Sequence, residues 1–282
     1  MAKRFDKNRN GSGDRPRQER GREDRPRPPF KAQSGERPAR PERSRSGRPV
    51  LYGFHAVIEA LKNPRRKAFV LHVTENALKR LLDEMPELSI APIMAKPEEI
   101  DRITGPDAVH QGIALEVDGL PAADIHDLEG KGVVVVLDQV TDPHNVGAIL
   151  RTAAAFAAEA VLVTERNSPE AVGVLAKSAS GGLEHVPLIE VVNLAQALTL
   201  LGEKGYWRVG LDSEGPDVLA ESLANPPIAL VMGAEGKGLR RLTRERCDVL
   251  ARLDMPGAIK SLNVSNAAAI ALATVVGVIK RS

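Results

Sequence analysis

Two patterns of apolar and polar positions divide this chain. From residue 132 onward, short continuous apolar runs at 133–137, 160–164, 186–191, 207–211, 228–232 and 249–253 take turns with stretches of helical spacing. Those stretches are 148–158, 169–179, 194–201, 239–247 and 263–279. An uninterrupted run such as Val133-Val134-Val135-Val136-Leu137 is what a strand buried on both faces requires. Its regular alternation with helices predicts an α/β domain with a mostly parallel sheet over 132–282. The last helix, 263–279, is rich in alanine and carries no charge. It must therefore be buried, against the sheet or against a subunit partner.

The pattern ahead of this domain is shorter. Residues 52–61 read as a helix that ends near Asn63-Pro64, 69–73 as a strand, and 77–82 as a helix with Leu78, Leu81 and Leu82 on one face. Lys96-Pro97-Glu98-Glu99-Ile100 reads as a helix start and 111–117 as a returning strand. Residues 50–118 are thus predicted to form a small α/β module. Residues 119–131, with Pro121, several acids and Gly130, form a linker. Residues 1–48 are dominated by Arg, Pro, Gly, Ser, Asp and Glu, with Phe5 and Phe30 as the only aromatics. Such a segment buries too little apolar surface to offset its ordering entropy and is predicted to be disordered.

Charge sharpens this division. Residues 1–49 hold 16 Lys/Arg and 7 Asp/Glu, while the remainder holds 23 and 30. The formal net charge of +2 therefore joins a basic tail to an acidic body. The tail reads as a tether for an anionic partner, nucleic acid foremost. Seven acids argue against a mitochondrial transit peptide. No apolar stretch approaches the roughly 20 residues that span a bilayer, and no hydrophobic signal segment opens the chain, so a cytoplasmic protein without membrane contact is expected. A single cysteine, Cys247, fits a reducing compartment. The six histidines show no spacing that suggests zinc, so no metal is expected.

Three segments combine glycine with groups able to handle charge, and each lies where a strand gives way to a helix. They are Asn145-Val146-Gly147-Ala148-Ile149-Leu150-Arg151, Met232-Gly233-Ala234-Glu235-Gly236-Lys237-Gly238, and Ser261-Leu262-Asn263-Val264-Ser265-Asn266. Open α/β sheets place ligands at such junctions. In the first, Asn145 reads as an N-terminal cap, Gly147 as a point of close backbone approach, and Arg151, one or two turns into the helix, as an anion-binding group or a paired surface arginine. The second has the order G-x-x-G-x-G. That is neither a dinucleotide fingerprint nor a Walker loop, which weighs against a nucleotide-dependent oxidoreductase. Its Glu235 can bind a hydroxyl, orient a base or anchor an arginine. In the third, Ser261 and Asn263 offer donors and acceptors, or simply cap the helix that follows.

In this order, Asn145-x-Gly147-x-x-x-Arg151, Met232-Gly233-Ala234-Glu235-Gly236 and Ser261-Leu262-Asn263-Val264-Ser265 resemble the three motifs of the SpoU, or TrmH-like, RNA ribose 2′-O-methyltransferases of the SPOUT superfamily. The likeness runs through 132–282. Residues 50–118, opening with Leu51-Tyr52-Gly53-Phe54-His55-Ala56-Val57 and closing with Val109-His110-Gln111-Gly112, resemble the L30e-like substrate-binding domain of that family. The basic tail is outside the pattern.

The resemblance implies a deep trefoil knot in the C-terminal domain, an exception to unknotted topology. It implies S-adenosyl-L-methionine bound in that knot by backbone around Gly233, Leu253 and Leu262, and a homodimer formed through the knotted region. The implied reaction is methyl transfer to an RNA ribose 2′-hydroxyl, foremost on a guanosine in the peptidyl-transferase P loop of 23S rRNA. The alternatives are a tRNA ribose methyltransferase and, from another class, a non-catalytic RNA-binding assembly factor for the ribosome. Asn145, Arg151, Glu235, Ser261 and Asn263 are the implied catalytic set. Arginine, with a pKa above ~12, is a poor base at neutral pH. Arg151 therefore either takes the proton after strong perturbation or binds phosphate and stabilises the forming alkoxide, with Glu235 orienting Arg151 or the ribose. His144 is a further group able to move a proton.

Overall fold

The computed structural model describes residues 47–164, 172–224 and 227–279. The tail assigned to 1–48 lies outside the described residues, apart from its last two positions, and so does the start of the helix assigned to 169–179.

The first module is a four-stranded sheet built from β1 (Val50–Tyr52), β2 (Ala68–Val73), β3 (Pro92–Met94) and β4 (Ile113–Val117), in the order β1-β4-β2-β3. β4 runs antiparallel to β1 and β2, and β3 runs parallel to β2. Helices α1 (Phe54–Lys62), α2 (Glu75–Glu84) and α3 (Pro97–Thr104) accompany it. Residues 50–52 are strand because they pair with β4, so the first helix begins at Phe54 rather than at Tyr52. In α2, Ala77 and Leu81 face the core while Leu82 is 41% exposed. Residues four apart share a helix face, and Leu82 is turned about 100° from Leu81.

The second module is a seven-stranded sheet of β5 (Val133–Asp138), β6 (Ala160–Thr164), β7 (Leu188–Val191), β8 (Trp207–Leu211), β9 (Asp217–Val218), β10 (Ile228–Gly233) and β11 (Val249–Arg252). Their order is β7-β6-β5-β10-β8-β11-β9, and every neighbouring pair is parallel. The helices are α4 (Pro143–Ala155), α5 (Val172–Ala179), α6 (Gly182–His185), α7 (Leu194–Glu203), α8 (Arg241–Glu245) and α9 (Val264–Ile279). Strand residues divide between two apolar layers. Val133, Val135 and Leu137 pack with Ile149 and Leu150 of α4 and Leu272 of α9, while Val134 and Val136 pack with Leu198 and Leu201 of α7.

Segment 119–131 is anchored on this sheet. Ile125 and Leu128 join the second layer. The Glu159 carboxylate accepts the N–H groups of Glu129, Gly130 and Gly132 and the Tyr206 hydroxyl, the last at 2.7 Å. Burial pushes the Glu159 carboxyl up, but these donors outweigh it and hold it below its usual range, while burial and Glu159 push the Tyr206 phenol up.

A buried polar seam joins the two modules. The Glu184 carboxylate in α6 accepts from Arg66 Nη2 at 2.5 Å and from Asn63 Nδ2 at 2.7 Å, and Arg66 also donates to the Asp118 carbonyl. The side chains of Arg66 and Glu184 are 2% and 3% exposed. Removing one partner of such a pair strands a buried charge. Glu184→Ala is therefore expected to lower the unfolding free energy by about 3–5 kcal/mol, read by urea denaturation. A loss under about 1 kcal/mol would show that the seam is not a stabilising contact.

Candidate active site

All strands of the large sheet point one way, so the ends of β8, β10 and β11 lie on one edge. A pocket of about 250 Å³ opens there, lined by residues at or just beyond the end of each strand: Leu211 to Ser213 at β8, Met232 to Gly236 at β10, and Leu253 and Met255 after β11. Lys260, Ser261, Leu262, Val264 and Ala267 complete the wall. Leu211, Met232, Leu253, Leu262, Val264 and Ala267 supply apolar lining, and Asp212, Ser213, Glu235, Lys260 and Ser261 supply polar groups.

The loop after β10 turns tightly. Gly238 N–H donates to the Ala234 carbonyl at 2.9 Å, and these two residues form an isolated antiparallel bridge. A Cβ on Gly233 would run into the backbone of Gly238 and Leu239, so only glycine fits. Glu235 projects from this turn. Its Oε1 accepts the Val264 N–H at 3.0 Å and Asn263 Nδ2 at 2.5 Å. Asn263 Nδ2 also donates to Asn145 Oδ1 at 3.0 Å. Asn263 Oδ1 meanwhile caps α9 by accepting the Ser265 N–H at 2.9 Å. One asparagine thus caps a helix and joins all three loops.

The structure therefore brings Asn145, Glu235 and Asn263 into hydrogen-bond contact, with Ser261, Gly233, Leu253 and Leu262 on the adjacent pocket wall. Arg151 stands apart. Helix α4 begins at Pro143, capped by Asp142, whose side chain accepts the His144 N–H. Asn145 lies inside the first turn and is not the cap, because Asp142-Pro143 supplies cap and first residue together. Arg151 sits about 12 Å along the axis from Pro143 and is turned about 120° from Asn145, further from the positive end of the helix than its spacing from Asn145 suggested. It is exposed, makes no ion pair among the described residues, and its backbone passes close to Gly182 of α6. Glu235 contacts the start of α9 and not Arg151. His144 Nδ1 lies 3.2 Å from Ser178 Oγ on α5. A Cβ on Gly147 would sit 2.5 Å from Ser178 Cβ, so this glycine permits the close approach of α4 and α5.

The sequence reading missed Asp138, Asp212 and Lys260. Asp138 ends an apolar strand as a fully buried acid, a contrast visible in the sequence. Asp212 follows the last residue of β8, is partly buried and pairs with Arg244. Lys260 Nζ reaches back across the third loop to the Met255 carbonyl at 2.5 Å. Burial pushes the Cys247 thiol up to about 12, which removes it as a nucleophile. Among the described residues no group of His, Cys, Asp and Glu could hold a metal ion, and no helix is long and apolar enough to cross a membrane.

A family model described as the SpoU rRNA Methylase family matches residues 132–273. The chain belongs to the SpoU rRNA methylase family. A second model, described as RNA 2′-O ribose methyltransferase substrate binding, matches residues 50–123. The 23S rRNA (guanosine-2′-O-)-methyltransferase RlmB of Ralstonia nicotianae is 40% identical over 232 residues, covering 79% of this chain and 93% of that protein. RlmB of Yersinia pestis is 40% identical over 240 residues, covering 80% and 96%. The SpoU methyltransferase AviRb from Streptomyces viridochromogenes, solved in complex with the cofactor AdoMet, superposes with a TM-score of 0.69 at 21% identity, covering 83% of this chain and 91% of that one. It shares the fold of this SpoU family member.

Glu235 supplies a cap acceptor at α9 as well as the tie between loops. Loss of a capping acceptor costs about 0.5–2 kcal/mol. Glu235→Ala is expected to destabilise the protein by about 1 kcal/mol in urea unfolding. A variant as stable as the wild type would show that the carboxylate bears no load at the helix start.

Proposed function

We propose that this SpoU family member transfers a methyl group from S-adenosylmethionine to the ribose 2′-hydroxyl of a guanosine in 23S rRNA, in the peptidyl-transferase P loop. The observation that carries the reading is the cluster Asn145–Asn263–Glu235 beside the pocket at the ends of β8, β10 and β11. The RlmB relatives support the choice of guanosine and of 23S rRNA.

The pocket suits the methyl donor. Leu211, Met232, Leu253 and Leu262 offer apolar faces for a purine, and Asp212, Ser213 and Ser261 offer partners for hydroxyl and amino groups. Gly233, Leu253 and Leu262 would hold it by their backbones. S-adenosylmethionine, when bound, supplies an electrophilic methyl on a positively charged sulfur. The residues of the chain position the acceptor. The 2′-oxygen must lie in line with the S–CH3 bond and lose its proton as the O–CH3 bond forms, and orientation alone can supply a large part of the rate. Asn145, Asn263 and Glu235 are held rigid by one another and face the ribose with Ser261. Both bonds made by Glu235 fall on Oε1, which leaves Oε2 for a ribose hydroxyl. Arg151, exposed on α4, binds the target phosphate and stabilises the forming alkoxide while the hydroxyl proton passes to solvent, or takes that proton itself where RNA binding desolvates the guanidinium.

The proposal extends to architecture. Residues 50–118 serve as an L30e-like substrate-binding domain, 119–131 as its link to the catalytic domain of 132–282, and 1–48 as a disordered basic tether for RNA. β10 enters the gap between β5 and β8 after both have been laid down, and the chain then returns to pack α9 on α4. That order supports a deep trefoil knot. Ile259, Leu262 and Ile270 are 77%, 38% and 47% exposed on the third loop and α9. A second copy of the chain would cover these exposed apolar side chains, which supports a homodimer. The proposal puts the enzyme in the cytoplasm with its RNA.

Labelled S-adenosylmethionine with unmodified 23S rRNA or tRNA, followed by mapping of the methyl group, tests the assignment. The expected product is one 2′-O-methylguanosine in 23S rRNA. Transfer to tRNA alone would move the assignment to that substrate, and no transfer to either would contradict the enzyme reading. Arg151→Ala is expected to lose roughly 100-fold or more in turnover while retaining donor affinity; near-normal turnover would remove Arg151 from the mechanism. Deleting residues 1–48 is expected to weaken RNA binding and flatten its dependence on salt, and an unchanged slope would dismiss the tether.

A further inference from the structure

Asp138 is the last residue of β5, and its side chain is 0% exposed. Its carbonyl accepts the Ala234 N–H at 3.1 Å. Its carboxylate accepts the Arg240 backbone N–H at Oδ2, 2.9 Å away, and Arg240 Nε at Oδ1, 2.6 Å away. Ala234 is the first residue beyond β10, and Arg240 immediately precedes α8. Both ends of the segment 234–240 therefore hang on one residue of the neighbouring strand. Between them, residues 235–238 are exposed, and Leu239 is the one buried side chain. A surface turn with so little apolar anchorage takes its order from its few hydrogen bonds.

We infer that Asp138 is a positioning residue for the methyl donor. Its carboxylate locks segment 234–240 in the form in which Gly233, Ala234, Glu235 and Gly238 wall the pocket. The inference rests on the reading that this pocket holds S-adenosylmethionine. The residue type follows from the geometry. Two donors of one arginine arrive at two separate oxygens, one of them charged, and only a carboxylate offers an acceptor to each. An asparagine would turn its NH2 group toward one of the donors. The charge of Arg240 also compensates the burial of Asp138, a pairing that a carboxylate with no exposure needs.

The full chain is compared as wild type, Asp138→Asn, Asp138→Ala and Arg240→Ala. Arg241→Ala serves as a control, since the Arg241 side chain is 77% exposed and among the described residues pairs with Glu245 alone. Binding of S-adenosylmethionine and of S-adenosylhomocysteine is measured by calorimetry, binding of 23S rRNA fragments by fluorescence, and folding by circular dichroism. Asp138→Asn, which preserves shape should Asp138→Ala fail to fold, is expected to weaken the donor and its product about tenfold or more, with RNA affinity within about twofold. Arg240→Ala retains the backbone bond and is expected to lose about threefold, and Arg241→Ala is expected to bind like the wild type. A folded Asp138→Asn that binds the donor within twofold of the wild type would overturn the inference, as would parallel loss of donor and RNA affinity. A wild type that binds neither adenosyl compound would instead overturn the methyltransferase reading.

Discussion

Helix α9 must begin at the rim of a pocket, and the free N–H groups of its first turn set a constraint on everything nearby. They cannot be left unpaired where the chain is partly covered. Glu235 takes the first and Asn263 the second. Because those two acceptors belong to different loops, satisfying the helix also sets the distance between the loops. Asn145 is drawn in by the remaining donor of Asn263. The polar cluster is thus a consequence of helix capping as well as a set of groups able to meet a ribose. Of the two readings of Asn263 offered by its sequence position, the cap is met by its oxygen, while its nitrogen is taken up by Glu235 and Asn145.

The parallel sheet determines where this happens. Strand β10 lies between β5 and β8, so the turn that follows it is bounded by Asp138 on one side and by the Leu211-Asp212-Ser213 segment on the other. The first module then packs directly on the helices of this sheet. Its α1 and β1 pack on α5 and α6, and the Arg66–Glu184 pair fixes their relation. A substrate held by the first module would meet the pocket in a defined orientation, which is what an in-line transfer demands.

The elements that could be read from the sequence were those with long uniform patterns. β5, β10 and α9 are continuous apolar runs, and their boundaries moved by no more than a residue or so. β9, β3 and α6 went unread because two to four residues carry no period. The helix assigned to 239–247 shrank to Arg241–Glu245, since Leu239 is drawn into the core beside the turn and Arg240 is held on Asp138. The loops were legible as three glycine-bearing junctions, yet glycine alone did not reveal which side chains meet. That depended on partners 118 and 28 residues apart for Asn263. Arg151 shows the converse. Its spacing from Asn145 was plain, but the helix began five residues earlier than 148, which moved it away from the positive helix end.

A crystal structure of the full chain with S-adenosylmethionine tests the central claim most directly. The account requires the donor in the pocket walled by Gly233, Leu253 and Leu262, with Asn263 still bridging Asn145 and Glu235. A donor bound elsewhere, or a cluster that comes apart when the donor binds, would contradict it.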